Sequence, residues 1–276
     1  MDRLIRYAFV LLVTAFFAVM WGLLLLRNLP TEPSTAPMAD YSRMLPPDES
    51  ERESLWDVYF AGRRIGTSTL TVAREEAGTI VLKSETRIVL EPAARYVLGM
   101  SGTVDLKFHA SISPLRGLRF FQINSDALDA HLIGSVEEGG LKFIGHIGGD
   151  RVRTVVPYRG RGFLGNMLSP LPPLRELDED RVGESWTVEM VNPIAGRVQK
   201  VEVSVTGLTE VFVGGESTEA LSLLFVTDEG RWTSRVTQEG EVLIQGTPYG
   251  LLLKRQDVFL PARPASGAAP PPANPP

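Results

Sequence analysis

Gly160-Arg161-Gly162-Phe163-Leu164-Gly165 has the glycine spacing of a dinucleotide-binding turn, and acids follow about twenty residues on at Asp180 and Glu184. That chemistry needs a long helix presenting its N-terminal N–H groups to a pyrophosphate, with a parallel βαβ unit behind it. Pro170, Pro172 and Pro173 stop such a helix early. The motif therefore reads as a glycine-rich entry to an apolar stretch, and nucleotide binding is not expected. His109, His131 and His146 lack the spacing of a metal site. Adjacent strands could gather them, with Asp105 or Asp129 as a further ligand, but three exposed strand histidines and no metal are the expectation. Gly99-Met100-Ser101-Gly102 approaches a nucleophile elbow and fails at its last glycine, where Thr103 stands. The carboxylate pairs Glu75-Glu76, Glu137-Glu138 and Asp178-Glu179-Asp180 fall in polar turns, where solvation rather than acid–base work accounts for them. Arg151, Arg153, Arg159 and Arg161 could meet anionic headgroups or an acidic partner; same-face strand spacing alone also explains Arg151 and Arg153. The chain has no cysteine, which excludes disulfides, thiol catalysis, Cys-ligated zinc and lipid on a mature N-terminal Cys.

The elements that must carry these residues are strands. Ile80, Leu82, Ser84, Thr86, Ile88 and Leu90 alternate with Val81, Lys83, Glu85, Arg87 and Val89, a period of two with one buried and one wet face. The same pattern predicts strands at 56–60, 66–72, 104–112, 118–124, 127–136, 141–147, 151–157, 186–191, 197–206, 220–226, 232–237, 242–245 and 249–257. Short turns such as Gly148-Gly149-Asp150 and Gly214-Gly215 separate them, as hairpins require. The fold expected is mainly β: one large curved antiparallel meander, a half-barrel or barrel. A single short helix at 162–168, with a further turn at 174–177, would plug its concave face. Phe163, Leu164, Met167, Leu168 and Leu171 of this plug, with Arg151 and Arg153 on the neighbouring strand, form the candidate ligand-binding set.

Upstream, residues 7–26 are apolar apart from Thr14 and Gly22, enough for a helix of about 30 Å, the thickness of a bilayer core. The run is longer than a secretory h-region and no small-residue cleavage site follows it closely, which favours an uncleaved single-pass anchor. Arg3 and Arg6 place residues 1–6 in the cytoplasm. Residues 27–54 read as a proline-rich acidic tether, 55–260 as the β-domain and 261–276 as a disordered Pro/Ala-rich tail. Ala18 and Gly22 have the spacing of a weak helix-dimer contact. The formal net charge of −5 offers no basic field to nucleic acid. The location expected is the bacterial inner membrane, with the domain on the outer side.

Val182-Gly183-Glu184-Ser185-Trp186 with Asn192-Pro193, Gln238-Glu239-Gly240-Glu241-Val242-Leu243, and Tyr249-Gly250-Leu251-Leu252-Leu253-Lys254-Arg255 read as strand-and-turn patterns. With the opening hairpin at 56–66, they resemble an uncharacterised family of exported bacterial β-domains, sometimes found beside transglutaminase-like domains and similar in fold to lipoprotein-carrier half-barrels. The resemblance covers 55–257 and implies a half-barrel; it carries over no catalytic residue. The chain lacks the Cys of a transglutaminase-like enzyme and could only accompany one. The functional expectation is a non-enzymatic envelope protein, without cofactor, that binds a lipid-like or peptide-like ligand or a partner protein. The alternatives are a structural or assembly subunit without ligand, and a hydrolase whose site is assembled across strands.

Overall fold

In a computed structural model of the chain, the residues described are 44–45, 47–75, 78–90, 102–113, 117–138, 140–158, 163–164, 177, 179–192 and 196–260. All belong to one compact unit, Pro37–Pro276. The apolar run at 7–26, including Ala18 and Gly22, and the tail at 261–276 lie outside them. No described helix is long and apolar enough to cross a membrane.

The first half of the unit is a run of hairpins: β1 (Glu51–Phe60), β2 (Arg63–Arg74), β3 (Ile80–Leu90), β4 (Gly102–Ser113), β5 (Gly117–Ser125), β6 (Ala130–Glu137), β7 (Gly140–Ile147) and β8 (Asp150–Val156). The second half is β9 (Phe163–Leu164), β10 (Ser185–Asn192), β11 (Arg197–Val213), β12 (Glu216–Thr227), β13 (Gly230–Val236), β14 (Val242–Gly246), β15 (Leu251–Arg255) and β16 (Val258–Phe259). They form one sheet in the order β8-β7-β6-β5-β4-β3-β2-β1-β15-β14-β13-β12-β11-β10-β9, with β16 paired to β11 off this path. Two meanders are thus sewn together at β1 and β15, where Trp56 stands opposite Arg255 and Val58 opposite Leu253.

Alternation accounts for each half. On β3, Leu82, Ser84, Thr86 and Ile88 are buried while Lys83, Glu85, Arg87 and Val89 are exposed. The β1–β2 turn is Ala61-Gly62 with φ of 49° and 77°, the left-handed pair whose twist suits a two-residue hairpin. At Gly134 the reason for glycine is packing. A Cβ there would run into the Phe121 ring, which crosses β6 to meet Phe143 edge-on at 5.7 Å between centroids. Phe121, Gly134 and Phe143 are consecutive cross-strand neighbours on β5, β6 and β7, so the glycine makes room for an aromatic pair that is fully buried. In the second half, Phe225 and Trp232 stack at 5.4 Å and 8° across β12 and β13.

The sheet curls until the ends of its path approach one another. Gly196, in the turn between β10 and β11, backs onto β8, with the Cγ2 of Thr154 at 3.5 Å from where a Cβ would stand. Tyr158, just past β8, is buried and lies between Leu118 on β5 and Glu189 on β10. β9 touches β5 as well as pairing with β10.

Four expectations need correction. The plug begins as a strand, because Phe163 and Leu164 pair in extended conformation with Met190 and Val191. Edge pairing to β10 captures this backbone before a helical turn can close. That pair is parallel, so the sheet is not antiparallel throughout. The last residues assigned to the tether are part of the fold: β1 starts at Glu51, and Met44 and Leu45 are buried at 8% and 0% exposure. Arg74 donates to the carbonyls of Leu45 and Pro47 and fastens that segment to β2. Finally, β11 runs for 17 residues, past the end set at 206, because a bulge between Val205 and Gly207 lets it continue and receive β16.

Candidate functional site

Polar groups on the buried, concave face are few, and each needs a partner. One cluster is internally satisfied: Ser68 Oγ lies 2.7 Å from Thr86 Oγ1 and 3.2 Å from Ser84 Oγ, across β2 and β3. Beside it Trp56 donates its indole N–H to Ser54 Oγ at 3.0 Å. At the seam Arg255, opposite Trp56, forks to Glu241 Oε1 and Asp257 Oδ1, both at 2.6 Å.

A second group is not satisfied. Gln199 on β11 stands opposite Met190, two positions before the buried Val201, and its Oε1 and Nε2 are both buried with no hydrogen-bond partner. Trp186 Nε1, Ser125 Oγ and Ser234 Oγ are buried in the same condition. Each such atom costs about 1–3 kcal/mol relative to a partnered one. Strands β5, β10, β11 and β13 therefore each turn at least one idle donor or acceptor into the fold.

Tyr158 is the buried acid of this face. Burial, and after it the nearby Glu189 carboxylate, push its phenol well above the ordinary 10.0, while the backbone hydrogen bond of Leu118 pulls the other way. The hydroxyl is therefore neutral at all physiological pH.

The expected site residues are distributed as follows. Arg151 and Arg153 stand on β8 and are exposed on the outer face, away from the concave one. Val152, Thr154 and Val156 take the inner positions instead. Phe163 and Leu164 contribute the backbone of β9, whereas Met167, Leu168 and Leu171, with Arg159 and Arg161, lie outside the described residues. Of the histidines, His131 and His146 are direct cross-strand partners with rings 6.0 Å apart. His131 Nδ1 lies 2.6 Å from Asn124 Oδ1, and His146 Nε2 lies 3.4 Å from Asp129 Oδ1. His109 is paired with Gln122 on β5 and packs edge-on against Phe120 at 6.1 Å. Among the described residues no group of three or more His, Asp or Glu could hold a metal ion. Gln199, Trp186 and Ser234 were missed because each occupies an inward position of an otherwise apolar alternation, where a lone polar residue gives no motif. The available signal was the polar residue in the buried register itself.

The fold and this face define a class: mainly β proteins built on one strongly curved, nearly all antiparallel sheet with a mixed apolar and polar concave side. No protein-family model matches the chain, and no curated protein matches it in sequence. Among solved structures the chain is similar to the crystal structure of a β-barrel-like protein of a domain of unknown function, DUF1849, from Brucella abortus. The TM-score is 0.42 at 10% identity, over 76% of this chain and 97% of that one.

Proposed function

We propose that the chain is a non-enzymatic envelope protein, held in a bacterial inner membrane by residues 7–26 with its N-terminus in the cytoplasm, whose β-domain binds a lipid-like ligand on its concave face. A ligand with an apolar body and a few hydrogen-bonding groups suits that face, in the manner of the lipoprotein-carrier half-barrels that the strand-and-turn signatures resemble. The carrying observation is Gln199, whose amide is buried at both ends without a partner. A purely structural core position would favour leucine there, since an idle buried amide lowers stability.

Native mass spectrometry of the full chain, purified in mild detergent, tests this. The wild type is expected to retain an apolar adduct, and Gln199→Leu to retain several-fold less. If wild type and Gln199→Leu are equally free of adduct, and the substitution raises the unfolding free energy by about 1–3 kcal/mol, the amide is an unpartnered structural remnant and the reading falls.

A further inference from the structure

We infer that the outer face of β4–β8 is a docking surface for an anionic phospholipid bilayer. The membrane setting rests on the reading above; the contact itself is additional to it. Strand register sets three outward rows across these five strands, from Ser111 to Val155, from His109 to Arg153 and from Lys107 to Arg151. Lys107, Lys142, Arg151 and Arg153 stand in these rows and no carboxylate does, in a chain whose formal net charge is −5. The acids nearest to them sit at the border: Glu85, the cross-strand partner of Lys107 on β3, Asp105 on β4, which Arg87 holds at 2.7 Å, Glu137 beside Lys142 at 3.2 Å, and Asp129 beside His146.

Between the cations stand apolar side chains that a solvated strand face does not need. Ile144 is 45% exposed and Val155 61%, diagonal neighbours on β7 and β8. The arrangement fits headgroup phosphates lying over an acyl boundary. A free anion would engage the cations and leave Ile144 and Val155 in water. The absence of carboxylates within the rows matters most beside Arg151 and Arg153, which stand opposite His146 and Ile144, because a Glu there would cancel a cation and repel the surface.

The chain has no cysteine, so Val155→Cys supplies a unique attachment point. The full chain is placed in nanodiscs of phosphatidylcholine alone, or with about a third phosphatidylglycerol, and carries an environment-sensitive fluorophore on the thiol introduced by Val155→Cys. A second version, Ser217→Cys, puts the fluorophore on an exposed position of β12. The expected result is a blue-shifted signal from the Val155→Cys probe, quenched by nitroxide lipid, in anionic discs only and reversed by high salt. Arg151→Glu with Arg153→Glu should weaken it about tenfold or more, with circular dichroism unchanged. A signal from the β8 probe equal to that from the β12 probe overturns the proposal, as does one indifferent to lipid charge or to the double reversal. A photo-crosslinker on the β8 thiol that captures protein instead of lipid also overturns it, in favour of an acidic partner. Extraction of the chain from the discs by alkaline carbonate would refute the anchor alone, since the face can then be read on added vesicles of the same two compositions.

Discussion

Tyr158→Phe removes one hydroxyl from the concave side and should change how stability depends on pH. Tyr158 is 9% exposed, its phenol close to the backbone of Leu118 and the carboxylate of Glu189, and its folded value is raised above 10.0. A raised value means that the folded state holds the proton more tightly than the unfolded chain does. The associated stability is therefore complete below about pH 10 and is lost as pH rises from there toward the folded value. For one proton the slope is about 1.4 kcal/mol per pH unit, the full 2.3RT, because the folded phenol stays protonated while the unfolded one titrates. At about pH 8 the variant should be less stable by about 1–3 kcal/mol, since the Leu118 group loses its partner. Above about pH 10 the deficit should shrink at the stated slope, because only the wild type has this proton to lose. Urea unfolding of both proteins from about pH 8 to about pH 11 measures the difference, with the lysines and other tyrosines common to both. Parallel curves across that range would refute the burial argument.

Two further substitutions probe what holds the face in place. Gly134→Ala should cost about 1–3 kcal/mol, because its methyl meets the Phe121 ring, which Phe143 prevents from retreating; a urea midpoint equal to wild type would show that the pair can slide. Arg255→Lys should lower stability by about 1 kcal/mol, since an ammonium cannot span Glu241 and Asp257 as the guanidinium fork does; thermal unfolding of that variant with Arg255→Met separates fork geometry from charge.

Much of the sheet is legible in the sequence, because a strand that buries one face must alternate. β3, β5 and β7 appear within a residue or two of their observed limits, and even the inward Ser84 and Thr86 fall in the expected register. Three features are not legible, each for its own reason. The β1–β15 seam joins segments from opposite ends of the domain; Gln256 donates to Asp57 across 199 positions, and no local pattern encodes such a pairing. β9 has only two residues, too few for periodicity, and its apolar composition suits a helix equally until β10 offers it an edge. The start of β1 is hidden because Glu51, Arg52 and Glu53 are all charged, so alternation there is of exposure rather than of polarity. At the candidate site, strand spacing puts Arg151 and Arg153 on one face without saying which, and the plug-facing set places them inward; Gln199 carries no motif.

The seam also dictates the order in which the domain can be completed. The strands β1–β8 fold by neighbouring hairpins and can form as soon as they emerge, with closures that are short in sequence and correspondingly fast. β1 meets its second neighbour only when β15 arrives, nearly two hundred residues later. Throughout synthesis one edge of the early meander therefore waits with its backbone N–H and C=O groups unclaimed, open to any other strand in reach. The arrival of β15 is thus the step that closes that border.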